Sequence, residues 1–107
     1  MPTQNDKRLA QIEKRMEKIK AELIALAPMR PGSLTRQYKD PQARSGPYYQ
    51  LSYTRDMKNR TDYIPRDCVR EVRRLLRNYK RFKALTTEWV DLSIEQSRLQ
   101  IRLTRKA

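Results

Sequence analysis

The sequence contains no histidine and only one cysteine, and these absences restrict the chemistry open to the chain. Histidine is the commonest metal ligand and general base near neutral pH, so most hydrolytic and metal-dependent mechanisms are disfavoured. With Cys68 alone no internal disulfide can form, which favours a reducing, cytoplasmic environment. The carboxylates are scattered singly, without the clustering of a two-metal site. We therefore expect a protein that is not an enzyme and holds no metal and no cofactor.

Long apolar runs and glycines are also scarce. No run approaches the roughly 18 residues of a membrane span, and no signal-peptide pattern precedes the first polar segment, so we expect no membrane partner. The pair Gly32-Ser33 lacks the repeated glycines and the lysine of a phosphate-binding loop. Only two of 107 residues are glycine and 35% are charged, a composition typical of long coiled-coil helices in one domain with a modest core.

Positive charge is what the chain has in excess, and it is concentrated. The formal net charge is +13, and residues 30–87 hold 15 basic and five acidic side chains, a net +10. The two flanking segments are nearly balanced. A localised basic region attracts phosphate backbones, whereas dispersed lysines mainly keep a protein in solution.

Apolar residues in the first segment recur at steps of three and four. A helix is predicted from about residue 6 to residue 27, capped by Asn5 or Asp6 and ended by Pro28. The stripe fits a helical hairpin within one chain and an intermolecular coiled coil equally well. Its members are Leu9, Ile12, Met16, Ile19, Leu23 and Leu26.

The middle segment changes pattern twice. Residues 28–46 hold three of the six prolines and both glycines, which predicts an irregular basic connector anchored by Leu34 and Tyr38. This connector is either a linker that packs over the hairpin, the favoured alternative, or a loop that also contacts phosphate. From Tyr48 the apolar residues alternate, which predicts a β-hairpin with a turn over residues 55–60 and a second strand over residues 61–64. A lone hairpin is marginal in water, so its apolar face has to pack on a helix. That face is formed by Tyr49, Leu51, Tyr53 and Ile64.

No proline or glycine follows Arg66, so the last segment allows one helix of about 35–40 residues, with a break near Thr86-Thr87 as an alternative. Its apolar seam is interrupted by Gln96, as in coiled coils whose register is fixed by a polar residue. The other seam positions are Val72, Leu75, Tyr79, Phe82, Leu85, Trp89, Leu92, Leu99 and Leu103. We expect Trp89 in the core, and Cys68 as a small buried residue.

The predicted fold is α+β and mainly α, with two long coiled-coil helices flanking a β-hairpin. Residues 1–28 form the first helix, residues 29–65 the basic connector and hairpin, and residues 66–107 the second helix, within one structural domain. We expect the heptad helices to join two copies of the chain as a homodimer.

Arginines at steps of four, three and four mark one face of the second helix. Like charges at this spacing cost a few tenths of a kcal/mol per pair, and only Glu71 and Asp67 offset them locally. Three kinds of partner can neutralise this face: nucleic acid, an acidic protein surface, or acidic residues of the same chain such as Glu13, Glu17 and Glu22. The predicted nucleic-acid-binding residues, with those of the hairpin turn, are Arg55, Lys58, Arg60, Arg66, Arg70, Arg73, Arg74, Arg77, Lys80 and Arg81.

Four tyrosines of the hairpin segment offer an alternative use. Tyr48, Tyr49, Tyr53 and Tyr63 can stack on the bases of a single strand, or they can form the small core between hairpin and helix. The core is the commoner use of such residues. DNA is therefore favoured over RNA as the partner.

Several short strings resemble a known family. They are Arg30-Pro31-Gly32-Ser33-Leu34, the run from Gly46 to Tyr53 (GPYYQLSY), Tyr63-Ile64-Pro65 and the run from Asn78 to Lys83 (NYKRFK). Over residues 30–95 the chain resembles small bacterial proteins of no established activity, often encoded beside mobile elements. Relatives often carry cysteines in the loop before the Gly-Pro-Tyr step. Residues 39–44 have none, so any loop metal site of the family is absent here.

Two functional hypotheses follow, with a weaker third. The first is a non-enzymatic DNA-binding accessory protein, which the resemblance connects to a mobile element or phage in a bacterial cytoplasm. The second is an adaptor whose coiled coil docks on a larger enzyme or complex. The third is RNA binding through the tyrosines.

Overall fold

A computed structural model describes residues 1–106, and it confirms the α+β class. The chain divides into two compact units. The helical unit combines residues 1–26 with the chain from Phe82 onward, and the sheet unit is residues 27–81. The elements in order are α1 (Gln4–Ala25), β1 (Ser33–Asp40), β2 (Ser45–Arg55), β3 (Lys58–Ile64), a 3-10 turn (Arg66–Cys68) and α2 (Val69–Lys106).

Helix α1 starts earlier than predicted because Thr3, rather than Asn5 or Asp6, is its N-cap. The backbone N–H of Asp6 donates to Thr3 Oγ1 at 3.2 Å, and the Thr3 N–H donates to the Asp6 carboxylate at 3.0 Å. This reciprocal capping box satisfies two of the amide groups that a helix start leaves unpaired. The helix ends at Ala25 and Leu26 is already extended, ahead of Pro28, since residues close before a proline disfavour helical geometry.

The helical unit is a pair of helices packed through the heptad stripe. Ile12 and Ile19 are fully buried against Leu85, Leu92 and Leu99 of α2, and Trp89 packs against this cluster as predicted. The stripe of α1 is thus covered within the chain. Of the two arrangements left open by the sequence, the helical hairpin is the one found.

Two bidentate salt bridges join the helices of this unit. Arg8 donates to the Glu95 carboxylate at 2.6 and 2.8 Å, and Arg15 donates to Glu88 at 2.6 and 2.7 Å. The four side chains are 36–42% exposed, so solvent screens these pairs and they mainly fix which residues of the two helices lie opposite each other.

The sheet unit contains a strand that the sequence analysis did not predict. Residues 33–40 form β1 rather than an irregular connector, and the sheet is a three-stranded antiparallel meander in the order β1-β2-β3. Leu34 lies opposite Leu51, and Leu51 lies opposite Asp62. The prolines and glycines of the segment stand before and after β1 and not within it, so the composition of the whole segment concealed an unbroken run of eight residues.

The core of the sheet unit lies between one sheet face and the start of α2. Leu51 is fully buried, and Ile64 and Val72 are nearly so. The predicted apolar face is confirmed, since Tyr49 and Tyr53 pack against this cluster together with Leu34, Val69 and Leu76. Tyr48 and Tyr63 stay outside it: their ring centroids are 6.0 Å apart and Tyr63 is 72% exposed. The tyrosines therefore divide between core and surface.

Helix α2 is one continuous helix of 38 residues, with no break at Thr86-Thr87. The Thr86 hydroxyl donates to the carbonyl of Phe82 at 2.9 Å, so it is satisfied inside the helix.

The turn between β2 and β3 consists of two residues with positive φ, Asp56 at 54° and Met57 at 62°. Such hairpin turns favour glycine because a side chain costs about 1 kcal/mol in the left-handed region. Met57 is 99% exposed, so its side chain has little packing to lose.

We expect Met57→Gly to raise the free energy of unfolding by about 0.5–1 kcal/mol in urea titrations. The control Met57→Ala keeps its Cβ and should stay within about 0.5 kcal/mol of the parent; a glycine variant less stable than the alanine variant contradicts the turn assignment.

Acid should weaken the helical unit. The pKa of Glu95 is lowered below its ordinary value of 4.5, mainly because its carboxylate accepts hydrogen bonds from Arg8. A lowered pKa in the folded state gives a stabilisation that is present above pH 4.5 and is lost as the pH falls through the folded pKa. Thermal melts between about pH 7 and 3 should therefore show a smaller acid loss in Glu95→Gln than in the parent, the two curves converging at low pH. Glu13→Gln, at an exposed site on α1, is the control and should keep the parent's pH dependence.

Candidate polyanion-binding surface

The cations of α2 are exposed because of how the helix packs. Val69, Val72 and Leu76 face the sheet, and at 100° per residue the basic positions between them, Arg70, Arg73 and Arg74, turn toward solvent. The basic side chains fall within an arc of about 120° on that outer side. All are exposed: Arg70, Arg73, Arg74, Arg77, Lys80 and Arg81.

Two open grooves run along this arc. The first has a volume of about 480 Å³ and is lined by Tyr49, Arg66, Val69, Arg70, Arg73 and Arg77. The second, of about 400 Å³, is lined by Gly32, Ser33, Leu34, Arg73, Leu76, Arg77 and Lys80. Arg73 and Arg77 line both grooves and are the centre of the site. The arginine surface is defined here as Arg66, Arg70, Arg73, Arg77 and Lys80.

Gly32 allows the close approach of chain segments that forms the second groove. Its φ is +124°, and a Cβ at this position would lie 2.6 Å from the carbonyl oxygen of Ser52 on β2. Only glycine fits there without moving the backbone. The tight passage brings Ser33 and Leu34 beside Arg73 and Arg77.

Ion pairing separates the predicted cations into two kinds. Arg74 donates from Nε to Glu71 at 3.0 Å, which raises the pKa of Arg74 and lowers the pKa of Glu71. By contrast, within residues 1–106 no carboxylate forms a salt bridge with any member of the arginine surface. Glu17, one of the intramolecular acids considered above, pairs with Lys20 at 3.3 Å.

Arg30 has a structural role instead. It donates to Asp62 at 2.6 Å, and its guanidinium lies 5.0 Å from the centre of the Tyr53 ring. Its backbone N–H also donates to the carbonyl of Leu75 at 3.1 Å. These contacts hold the chain before β1 against α2.

The hairpin cations form a separate group. Arg55 on β2 and Lys58 on β3 lie directly opposite each other beside the turn. Arg60 on β3 lies opposite Tyr53 on β2. The predicted turn over residues 55–60 is therefore too long, since the turn is Asp56-Met57 and both Lys58 and Arg60 belong to β3. Arg55 is six residues along β2 from Tyr49 of the first groove, which is about 20 Å at the rise of a β-strand.

Cys68 is exposed, contrary to the prediction that it is buried. It lies in the 3-10 turn before Val69, the first residue of α2 to reach the core. Within the part of the chain that the structure describes, no three Cys, Asp or Glu side chains are grouped so that they could hold a metal ion. None of the helices described there is both long and apolar enough to cross a membrane.

The sequence did not place Gly32, Ser33 and Tyr49 beside the arginines: Gly32-Ser33 lacks the pattern of a phosphate-binding loop, and Tyr49 suits base stacking or the core. Their place in the site depends on the pairing of β1 with β2 and on the packing of α2, which are contacts between residues distant in sequence. The signal for the cations themselves, arginine spacing on one helix face, was local.

A family model matches this chain. The Domain of unknown function (DUF6788) matches residues 7–74, more than half of the chain. The chain belongs to the DUF6788 family. No curated protein and no solved structure matches it. The DUF6788 match covers most of α1, the whole sheet and α2 as far as Arg74; it includes Arg66, Arg70 and Arg73, whereas Arg77 and Lys80 lie beyond it.

Proposed function

We propose that this chain is a non-enzymatic DNA-binding protein that holds the phosphate backbone with the arginine surface. The observation that carries the proposal is a set of five exposed cations along two open grooves, none of them in a salt bridge with a carboxylate of residues 1–106. Following the family resemblance, we place this activity in an accessory role for a bacterial mobile element.

The chemistry of the surface suits phosphate. Four of its five members are arginine, whose planar guanidinium donates two parallel hydrogen bonds to phosphate oxygens. Uncompensated cations three and four residues apart repel one another by a few tenths of a kcal/mol per pair. The attraction of a bound polyanion to each cation offsets this repulsion, and binding releases counterions of the nucleic acid.

The shape of the surface favours a long partner over a small one. Small-ligand pockets bury most of the ligand surface, whereas both grooves here are open. From Arg70 to Lys80 the helix rises about 15 Å, a length over which duplex DNA presents about nine phosphate charges. The pair Arg55 and Lys58 offers a second contact about 20 Å along β2 from the first groove. A continuous line of charge, as in DNA, suits this layout better than an acidic patch on a protein.

Removing the two central arginines should weaken duplex binding. We expect Arg73→Ala with Arg77→Ala to lower the affinity for a mixed-sequence duplex of about 20 base pairs by at least about tenfold, since each arginine loses a charged hydrogen bond. The slope of log affinity against log salt should fall by about 1.8, or 0.9 for each lost phosphate contact. Fluorescence anisotropy at several salt concentrations measures both quantities.

The matched control is Lys14→Ala with Lys18→Ala, two exposed cations of α1 whose loss changes the net charge equally. An equal loss of affinity in this control would show a general charge effect and not a site. An unchanged affinity in the double arginine variant, or tighter binding to single-stranded RNA than to duplex, would overturn the proposal. Binding to an acidic protein alone would support the adaptor hypothesis.

Freeing Arg74 should strengthen binding. Glu71→Gln keeps the size of the side chain but removes the carboxylate that pairs with Arg74, so this arginine can join its neighbours on the helix. We expect the duplex affinity to rise severalfold and the salt slope to increase by up to about 0.9. Glu17→Gln is the control: it changes the net charge equally and releases Lys20, in the helical unit. Equal effects of both variants would contradict a localised site.

A further inference from the structure

Helix α2 carries a second apolar stripe that the helical unit does not cover. Val90, Ile94 and Ile101 are 54%, 46% and 54% exposed, values high for large aliphatic side chains. With Ser97 they recur at steps of four, three and four, the a and d spacing of a coiled coil. These four residues are called the outer stripe. An open groove of about 490 Å³ runs along it, lined by Trp89, Val90, Ser93, Ile94, Ser97 and Arg98.

The outer stripe is distinct from the seam that packs on α1. Leu92 belongs to the buried cluster, and Ile94, two residues on, is turned about 200° around the helix axis. This part of α2 is therefore apolar on two opposite sides. Surface helices of globular proteins usually have one such side, and a second at heptad spacing indicates a second helical partner.

The charges beside the stripe select the partner. Asp91 and Arg98 are both exposed, and neither has a salt bridge within residues 1–106. They are seven residues apart and so occupy the same flank of the outer stripe, one heptad from each other. In a parallel pair of identical helices this flank of one copy would lie beside the other flank of its partner, which carries uncharged Ser93 and Gln100. In an antiparallel pair this flank of one copy lies beside the same flank of the other copy, which places Asp91 of each copy beside Arg98 of the other.

We propose that the outer stripe docks a second copy of this chain, antiparallel and about a two-fold axis. Val90 of one copy then packs near Ile101 of the other, Ile94 near Ser97, and two symmetric Asp91–Arg98 pairs close the flanks. The predicted homodimer thereby moves from the seam covered by α1 to the opposite side of α2. The proposal does not depend on DNA binding.

The interface is short, so the dimer is weak. From Val90 to Ile101 the helix rises about 16 Å, which places the contact at the small end of specific interfaces, with a dissociation constant of about 10–100 µM. Sedimentation velocity on nucleic-acid-free protein, from about 5 to 500 µM at near-physiological salt, covers this range. Dimer formation over these concentrations is expected, and a monomer at every concentration would overturn the proposal.

Two sets of variants locate the surface. Ile94→Asp places a charge in the stripe and should raise the dissociation constant at least tenfold. Ile24→Asp is its control, because Ile24 is an 85% exposed aliphatic side chain on α1, outside the stripe, and it should leave the dimer unchanged. Equal effects of the two substitutions would rule out this stripe as the interface.

A charge exchange then tests the antiparallel pairing. Asp91→Arg and Arg98→Asp should each weaken the dimer about tenfold, since each replaces two attractive pairs by two repulsive ones. The double variant restores the pairs and should return to within about threefold of the parent. Circular dichroism confirms that each variant is folded. A double variant as weak as the single ones would overturn the antiparallel pairing.

Discussion

Burial of apolar side chains along α2 is the constraint on which both units depend. Val72 closes the core of the sheet unit, and Leu85, Leu92 and Leu99 close that of the helical unit. Burying one such side chain stabilises by about 1.5–3 kcal/mol, whereas one pair of like charges on the helix surface costs a few tenths. The helix therefore forms in spite of its crowded arginines. The buried side chains fix the rotation of the helix about its axis, and this rotation decides which way the arginines point.

The cations have two separate uses. Arg8, Arg15 and Arg30 are held by carboxylates and position secondary-structure elements within their own unit. The members of the arginine surface have no such carboxylate among the described residues, and they line open grooves. The net charge of +13 does not separate these uses, because it counts a cation fixed in a salt bridge and a free one alike.

The sequence predicted the parts of the fold that local patterns determine. The three- and four-residue steps predicted α1, and the alternation after Tyr48 predicted the face that packs on α2. The absence of proline and glycine allowed a long α2 but left a break near Thr86-Thr87 open, and the structure has one continuous helix. It did not predict β1, whose position is set by pairing with β2 across a loop, nor the exposure of Cys68, which depends on where α2 first meets the sheet. For the site, helix spacing predicted the arginines. It ranked Arg74 with the others because pairing with Glu71 depends on side-chain geometry.

Gly32 is needed both for the folding of the sheet and for the second groove, so a variant at this position does not test binding separately from stability. Gly32 cannot take a side chain without displacing Ser52, so a substitution there would push β1 away from β2. The same change would move Ser33 and Leu34 away from Arg73 and Arg77, and folding and binding would be lost together. Loss of binding in a Gly32 variant would thus not identify the site. The exposed arginines can be removed without disturbing either core, and only at such positions does a change in affinity report on the surface itself.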